Sequence, residues 1–189
     1  MVKYVYIWAI LTIFTSSAFS KEEEKPMEKV NKQYSIETGV RYFTHSTLPS
    51  EAKTGFTLLG DYAWKLSGYY KRPSVYLSVP IGINYMIDPS SNHSDIYILA
   101  YGWTIRHEFR KDKKFIPYIG YSLLLNQVWI KGRGGRTMGH QTKSEIGLNI
   151  YSGKQCCFFK VEYGISTFPS LDQKTSSVFA LDLKTGIRW

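Results

Sequence analysis

From Tyr34 to Trp189 the chain alternates with a period of two, and that pattern constrains its fold more than any other feature. Counting back from the end, Ile187, Thr185, Leu183, Leu181 and Phe179 lie on one face. Arg188, Gly186, Lys184, Asp182 and Ala180 lie on the other. Successive residues of a strand point to opposite faces, whereas a helix would repeat every 3.6 residues. The same alternation runs through residues 34–44, 55–67, 74–87, 95–110, 114–130, 140–151 and 156–167. Eight strands follow, most of them well beyond the 5–6 residues usual in soluble proteins. The connections at 68–73, 111–113 and 152–155 are short. Those at 46–54, 88–94, 131–139 and 169–176 are longer on average, and Gly, Pro, Ser and Asn mark them. Short and long connections alternate, as in an up-and-down sheet with all its turns at one end.

Three features set which face of such a sheet points inward. The polar face carries a glycine near the middle of seven strands: Gly39, Gly82, Gly102, Gly120, Gly147, Gly164 and Gly186. Glycine weakens a strand unless space is tight, and the interior of an eight-stranded barrel is just wide enough to be filled by side chains. The charges of that face are balanced: Glu37, Asp61, Glu108, Glu145, Glu162 and Asp182 against Arg41, Lys65, Arg106, Lys143, Lys160, Lys184 and Arg188. Enclosed charges require such pairing. Aromatic residues on the apolar face recur near the strand ends, with Tyr42, Phe56, Tyr85, Tyr97, Trp129 and Phe179 on the long-loop side and Tyr34, Phe109, Phe115, Phe159 and Trp189 on the short-turn side. Amphipathic rings at two levels match two membrane interfaces. The expected fold is therefore all-β, an eight-stranded antiparallel up-and-down transmembrane β-barrel, with a charged interior and an oily exterior. A mean hydropathy of −0.24 is compatible with this, because only alternate residues meet lipid.

The N-terminus supports export. Met1-Val2-Lys3 precedes an apolar stretch from Tyr4 to about Phe14 and a small-residue end, Ser16-Ser17-Ala18-Phe19-Ser20. This is the pattern of a secretory signal peptide over residues 1–20, and it is too short to span a membrane as a helix. Residues 21–33, KEEEKPMEKVNKQ, lack apolar periodicity and read as a polar periplasmic lead-in to a barrel domain at 34–189.

With its alternating final strand closed by Trp189, the chain resembles the small eight-stranded outer-membrane barrels of the OmpA/OmpX type across about residues 34–189. The resemblance is one of architecture and C-terminal signature. It implies a bacterial outer-membrane location, with Trp189 as part of the signal read by the barrel assembly machinery. It also implies outer-membrane lipids and lipopolysaccharide as neighbours, and a monomer. In such a barrel the polar-face charges form an ion-pair network that plugs the lumen, leaving a non-enzymatic structural or surface-interaction role: envelope integrity, adhesion or loop-mediated binding. A narrow channel is an alternative that the filled lumen disfavours.

A lipid A-modifying enzyme is the other alternative. The outer-membrane deacylases carry a His-x-Ser-Asn motif, which none of His45, His93, His107 and His140 reproduces. His140 with Ser144, or His45 with Ser46, are the places where a base and a nucleophile would lie. The loop Lys131-Gly132-Arg133-Gly134-Gly135-Arg136 offers three cations, suited to lipopolysaccharide phosphate or a protein partner. The formal charge of +9 is spread over turns, loops and one strand face, so no compact nucleic-acid motif emerges. No cofactor motif appears. Cys156 and Cys157 are adjacent and point to opposite faces in an extended chain, without the spacing of a metal site.

Overall fold

A computed structural model describes residues 32–48, 50–67, 74–90, 94–109, 114–132, 136–152, 155–171 and 174–189. The signal-peptide segment and most of the lead-in, together with Arg133, lie outside the described residues. Eight strands run in chain order: β1 (Lys32–Ser46), β2 (Thr54–Ser67), β3 (Ser74–Ile87), β4 (Ile96–Glu108), β5 (Phe115–Ile130), β6 (Thr137–Ser152), β7 (Gln155–Leu171) and β8 (Lys174–Arg188). Each pairs antiparallel with its sequence neighbours, and β1 pairs with β8, so the sheet closes into a barrel without free side edges. Tyr34 and Trp189 complete the seam, exchanging N–H···O bonds of 2.9 and 3.0 Å. Closure leaves the ladder of backbone donors and acceptors paired within the sheet, as any β-structure in hydrocarbon requires.

The register is staggered. Stepping across the rungs from Ile36 leads through Gly60, Ile81, Tyr101, Leu125, His140, Thr167 and Ser177, and returns to β1 beside Thr47, well up the strand from the start. Stagger of this kind tilts the strands and sets the bore of an eight-stranded barrel. A bulge at Phe43/His45 bends the top of β1 against β8.

Large apolar side chains project outward along the middle of the wall; Ile81, Ile146 and Leu183 are 59%, 63% and 57% exposed. The ionic residues Glu37, Arg41, Glu162, Asp182 and Lys184 are all buried inside. A water-soluble barrel has the opposite polarity.

Two features depart from the sequence-based expectation. First, the barrel is taller: β6 begins at Thr137, and the predicted loop 169–176 is largely strand, because β7 continues to Leu171 and β8 starts at Lys174. Lys32 and Gln33, assigned to the lead-in, already belong to β1. Second, the inward face is not polar throughout. At the long-loop end Phe43, Leu48, Ala52, Met86, Ile96, Ile98, Val128, Ile130, Phe168, Val178 and Ala180 form a buried apolar plug. The reason is local. Here inward residues alternate with outward Tyr42, Tyr85, Tyr97 and Trp129, so both faces are apolar and the contrast that marks the lumen disappears.

Candidate functional site: a charged lumen beneath an aromatic rim

Below the apolar plug, alternate residues of β1, β6, β7 and β8 place four cations and four carboxylates in one buried cluster. Arg41 donates from Nε and Nη2 to the two oxygens of Asp182 at 2.7 and 2.6 Å. Lys143 reaches Glu162 at 3.0 Å and Asp182 at 3.2 Å. Lys160 meets Glu37, Glu145 and Glu162 at 2.7, 3.0 and 2.7 Å. Lys184 meets Glu37 and Glu162 at 3.0 and 2.9 Å. Each charge has an opposite partner, which offsets the several kcal/mol that burying a bare ion costs.

A second cluster lies toward the short-turn end. Glu108 accepts from Asn149 Nδ2 at 2.9 Å and stands 3.3 Å from Arg106 Nε. Arg106 also donates to Gln33 Oε1 at 2.5 Å and lies over the Tyr76 ring, 4.8 Å from its centroid. Arg188 donates to Asn149 Oδ1 at 2.9 Å and covers Phe158, 4.6 Å away. Rings and guanidinium planes fill the bore here. A cavity of about 20 Å³ remains, bordered by Asp61, Arg106, Glu145 and Arg188 among others, room for about one water.

Two of the predicted lumen residues stay outside these networks. Asp61 is reached by Ser35 Oγ at 3.5 Å and borders the cavity without forming an ion pair with a described residue. Lys65 sits opposite Tyr76 at the short-turn mouth, half-exposed and likewise outside the described ion pairs. A half-exposed lysine needs no buried partner. Sequence reasoning missed Gln33, and Tyr151, whose hydroxyl donates to Glu108 Oε2 at 3.5 Å, as members of the lower cluster; inward parity in strands of known register is the signal that would have found them.

At the long-loop end the exterior carries a row of rings across β3, β4 and β5. The Tyr85 and Tyr97 centroids are 5.0 Å apart; Tyr97 and Trp129 are stacked, 5.9 Å apart at 7°. Arg136, beside β6, holds its guanidinium 6.0 Å from the Trp129 centroid. Tyr85 donates to Asp95 Oδ2 at 2.9 Å, and the other Asp95 oxygen accepts from Asp88 N at 3.0 Å. Asp88 accepts from Ser90 N, Ser94 N and Ser50 Oγ at 2.8, 3.2 and 3.2 Å, tying the β1–β2 connection to the β3–β4 connection. Hydrogen bonds from Ser90, with those from Ser50 and Ser94, hold the Asp88 carboxyl below its ordinary range. Tyr34, Phe109, Phe115 and Trp189 are exposed at the opposite end. The rings are not confined to two levels, however: Trp103, Tyr121 and Tyr163 face outward near mid-strand.

The candidate base–nucleophile pairs do not assemble. Ser144 lies four residues along β6 from His140, about 13 Å at strand rise, between Tyr121 and Tyr163. The hydroxyl beside His140 is instead Thr167 Oγ1, 2.7 Å from Nε2, and no ion pair joins His140 to a described carboxylate. His45 packs edge-on against Phe179, and Ser46 Oγ accepts from Leu48 N at 3.2 Å. Among the described residues no group of histidine, cysteine and carboxylate side chains is arranged to hold a metal ion. Cys156 and Cys157 are both free thiols, one buried inside and one half-exposed outside. Lys131 and Arg136 are exposed at the rim.

Closed antiparallel topology, an oily exterior and an ionic interior define the fold of the small eight-stranded outer-membrane barrels. Neisserial surface protein A superposes with a TM-score of 0.65 at 13% identity, over 84% of this chain and 96% of that one. Two further solved structures are similar. Ail, the attachment invasion locus protein of Yersinia pestis, in complex with the heparin analogue sucrose octasulfate, matches at 16% identity with a TM-score of 0.46, over 85% of this chain and 100% of that one. The outer membrane enzyme PagL matches at 14% identity with a TM-score of 0.46, over 80% and 97%. No protein-family model matches the chain, and comparison with curated proteins gives no match.

Proposed function

We propose that this protein resides in the bacterial outer membrane as a plugged, non-enzymatic barrel that supports the envelope and meets its surroundings through its long-loop end. The observation that carries the reading is the inverted polarity. Residues such as Ile81 and Ile146 point outward, while Arg41, Asp182, Glu162 and Lys184 are sealed inside. An exterior of this kind is stable only against lipid or detergent. The signal-peptide pattern of residues 1–20 supports the same location. A lumen filled by ion pairs, ring stacks and an apolar plug favours a scaffold over a conduit.

The test has three readouts on the folded protein. Extraction from membranes should require detergent; a folded, monodisperse protein in plain buffer would overturn the location. Planar-bilayer recordings should show no steady conductance; stable open-channel currents would overturn the plugged lumen. Incubation with lipid A should leave its acyl-chain mass unchanged; loss or gain of an acyl chain would overturn the non-enzymatic role.

A further inference from the structure

At the long-loop rim, rings and cations meet on one stretch of the wall. On β3–β5 the exterior presents Tyr85, Tyr97 and Trp129 as one row of rings, with Arg136 lying over the last of them. Lys131 stands beside the same row at the end of β5, where Gly132, with a φ of +79°, turns the chain out of the strand. Both cations are exposed, and neither forms an ion pair with a described carboxylate. Asp95, whose carbonyl oxygen accepts from Lys131 N, has its carboxylate engaged by Tyr85 and by the Asp88 N–H. On the β1 and β6–β8 side the rim hydroxyls are engaged locally, Thr44 and Thr47 with the Phe179 and Ser177 carbonyls and Thr167 with His140. Flat apolar faces and unneutralised cations thus coincide along the β3–β6 stretch of the rim.

We propose that this strip binds the headgroup of an outer-leaflet glycolipid that carries phosphate on its sugar. The inference rests on the outer-membrane reading, which places the rim at the headgroup level. A sugar presents a C–H face that packs on aromatic rings, and its phosphate supplies the anion that Arg136 and Lys131 lack. Arginine suits this task because its planar fork meets phosphate with two parallel hydrogen bonds. Trp129 contributes twice, as a platform for the sugar and as the surface that holds Arg136 in place.

The experiment uses the full protein in detergent micelles and native mass spectrometry to measure retention of bis-phosphorylated lipid A. Dephosphorylated lipid A and phosphatidylglycerol are the comparison ligands. Wild type should prefer the bis-phosphorylated form. The Lys131→Ala/Arg136→Ala double variant should lose about tenfold in affinity or more, the scale of lost charge-assisted hydrogen bonds. Trp129→Ala should weaken binding, Trp129→Tyr should largely restore it, and Lys32→Ala at the opposite end should change nothing. Competition by inorganic phosphate at millimolar concentration should not displace the lipid. Equal retention of all three lipids, displacement by free phosphate, or unchanged affinity in the folded double variant would each overturn the proposal. Quenching of Trp103 by bromine-labelled acyl chains, in a protein whose other tryptophans are Phe, tests the membrane reading separately. Quenching without phosphate preference sinks this inference alone; absence of quenching sinks the membrane reading.

Discussion

Arg41 and Asp182 face each other on the rung where the first and last strands meet, joined by two parallel hydrogen bonds of 2.7 and 2.6 Å. The pair is buried and lies at the only junction not made by a local hairpin. Removing one partner leaves an uncompensated ion inside the barrel. Asp182→Asn should therefore cost about 3–5 kcal/mol of unfolding free energy, while replacing both residues by apolar side chains of similar size should cost far less. Urea titration of micelle-bound protein, followed by tryptophan emission, measures both. A single variant as stable as wild type would show that the seam does not depend on this pair.

The outward assignment of the apolar positions makes a depth-dependent prediction. Ile81 is 59% exposed near the middle of β3, and Glu51 is exposed in the connection between β1 and β2. Ile81→Arg should destabilise the lipid-embedded protein by about 2–4 kcal/mol, and Glu51→Arg by no more than about 0.5 kcal/mol. The check is guanidinium unfolding in phospholipid vesicles. Equal tolerance at the two sites would contradict the lipid-facing placement.

Acid should loosen the rim before it loosens the wall. Asp88 joins Ser50, Ser90 and Ser94, and its carboxyl is held below the ordinary value of 3.8, chiefly by Ser90. A carboxyl with a depressed folded-state pKa contributes stability that is present above the unfolded value and is lost as pH falls through the folded one. Protection of the Ser90 and Ser94 amides, measured by hydrogen exchange, should thus be full near neutrality and decline below about pH 4. Asp88→Asn should reduce the pH dependence of that protection. Identical pH profiles in the variant and wild type would remove Asp88 from the mechanism.

Much of the architecture is legible in the sequence because lipid and lumen impose opposite demands on neighbouring residues. Wherever Ile or Leu alternates with Glu, Lys or Gly, as along Lys143–Ile150 or Lys160–Ile165, the side facing the axis follows from parity alone. Legibility fails where that contrast fails. Ile98 and Phe43 point inward beside outward Tyr97 and Tyr42, so the apolar plug carries no alternating signature. Pairings also depend on register. Lys160 is opposite Lys184 on β8 and Gly147 on β6, yet it reaches past them to Glu145 on β6 and Glu37 on β1. No spacing within one strand encodes such a choice. Thr167 escaped notice beside His140 for the same reason: the two are 27 residues apart and meet only through the β6–β7 register.

Inward glycines that face large rings provide the last prediction. Gly147 lies opposite Tyr118 on the β5–β6 rung, and a methyl group added at Gly147 would overlap the ring near Cζ. Tyr118 is fully buried, with Arg106 and Arg188 both within 5.8 Å of its ring centroid, so it has little freedom to retreat. Overpacking of this kind costs about 1–3 kcal/mol. Gly147→Ala should fall in that range by thermal or urea unfolding in micelles. Adding Tyr118→Leu should recover part of the loss, because the smaller side chain vacates the space the methyl needs. If Gly147→Ala is neutral, the glycine is not there to admit the ring; if the second substitution only adds to the damage, the two residues are not coupled through shared volume.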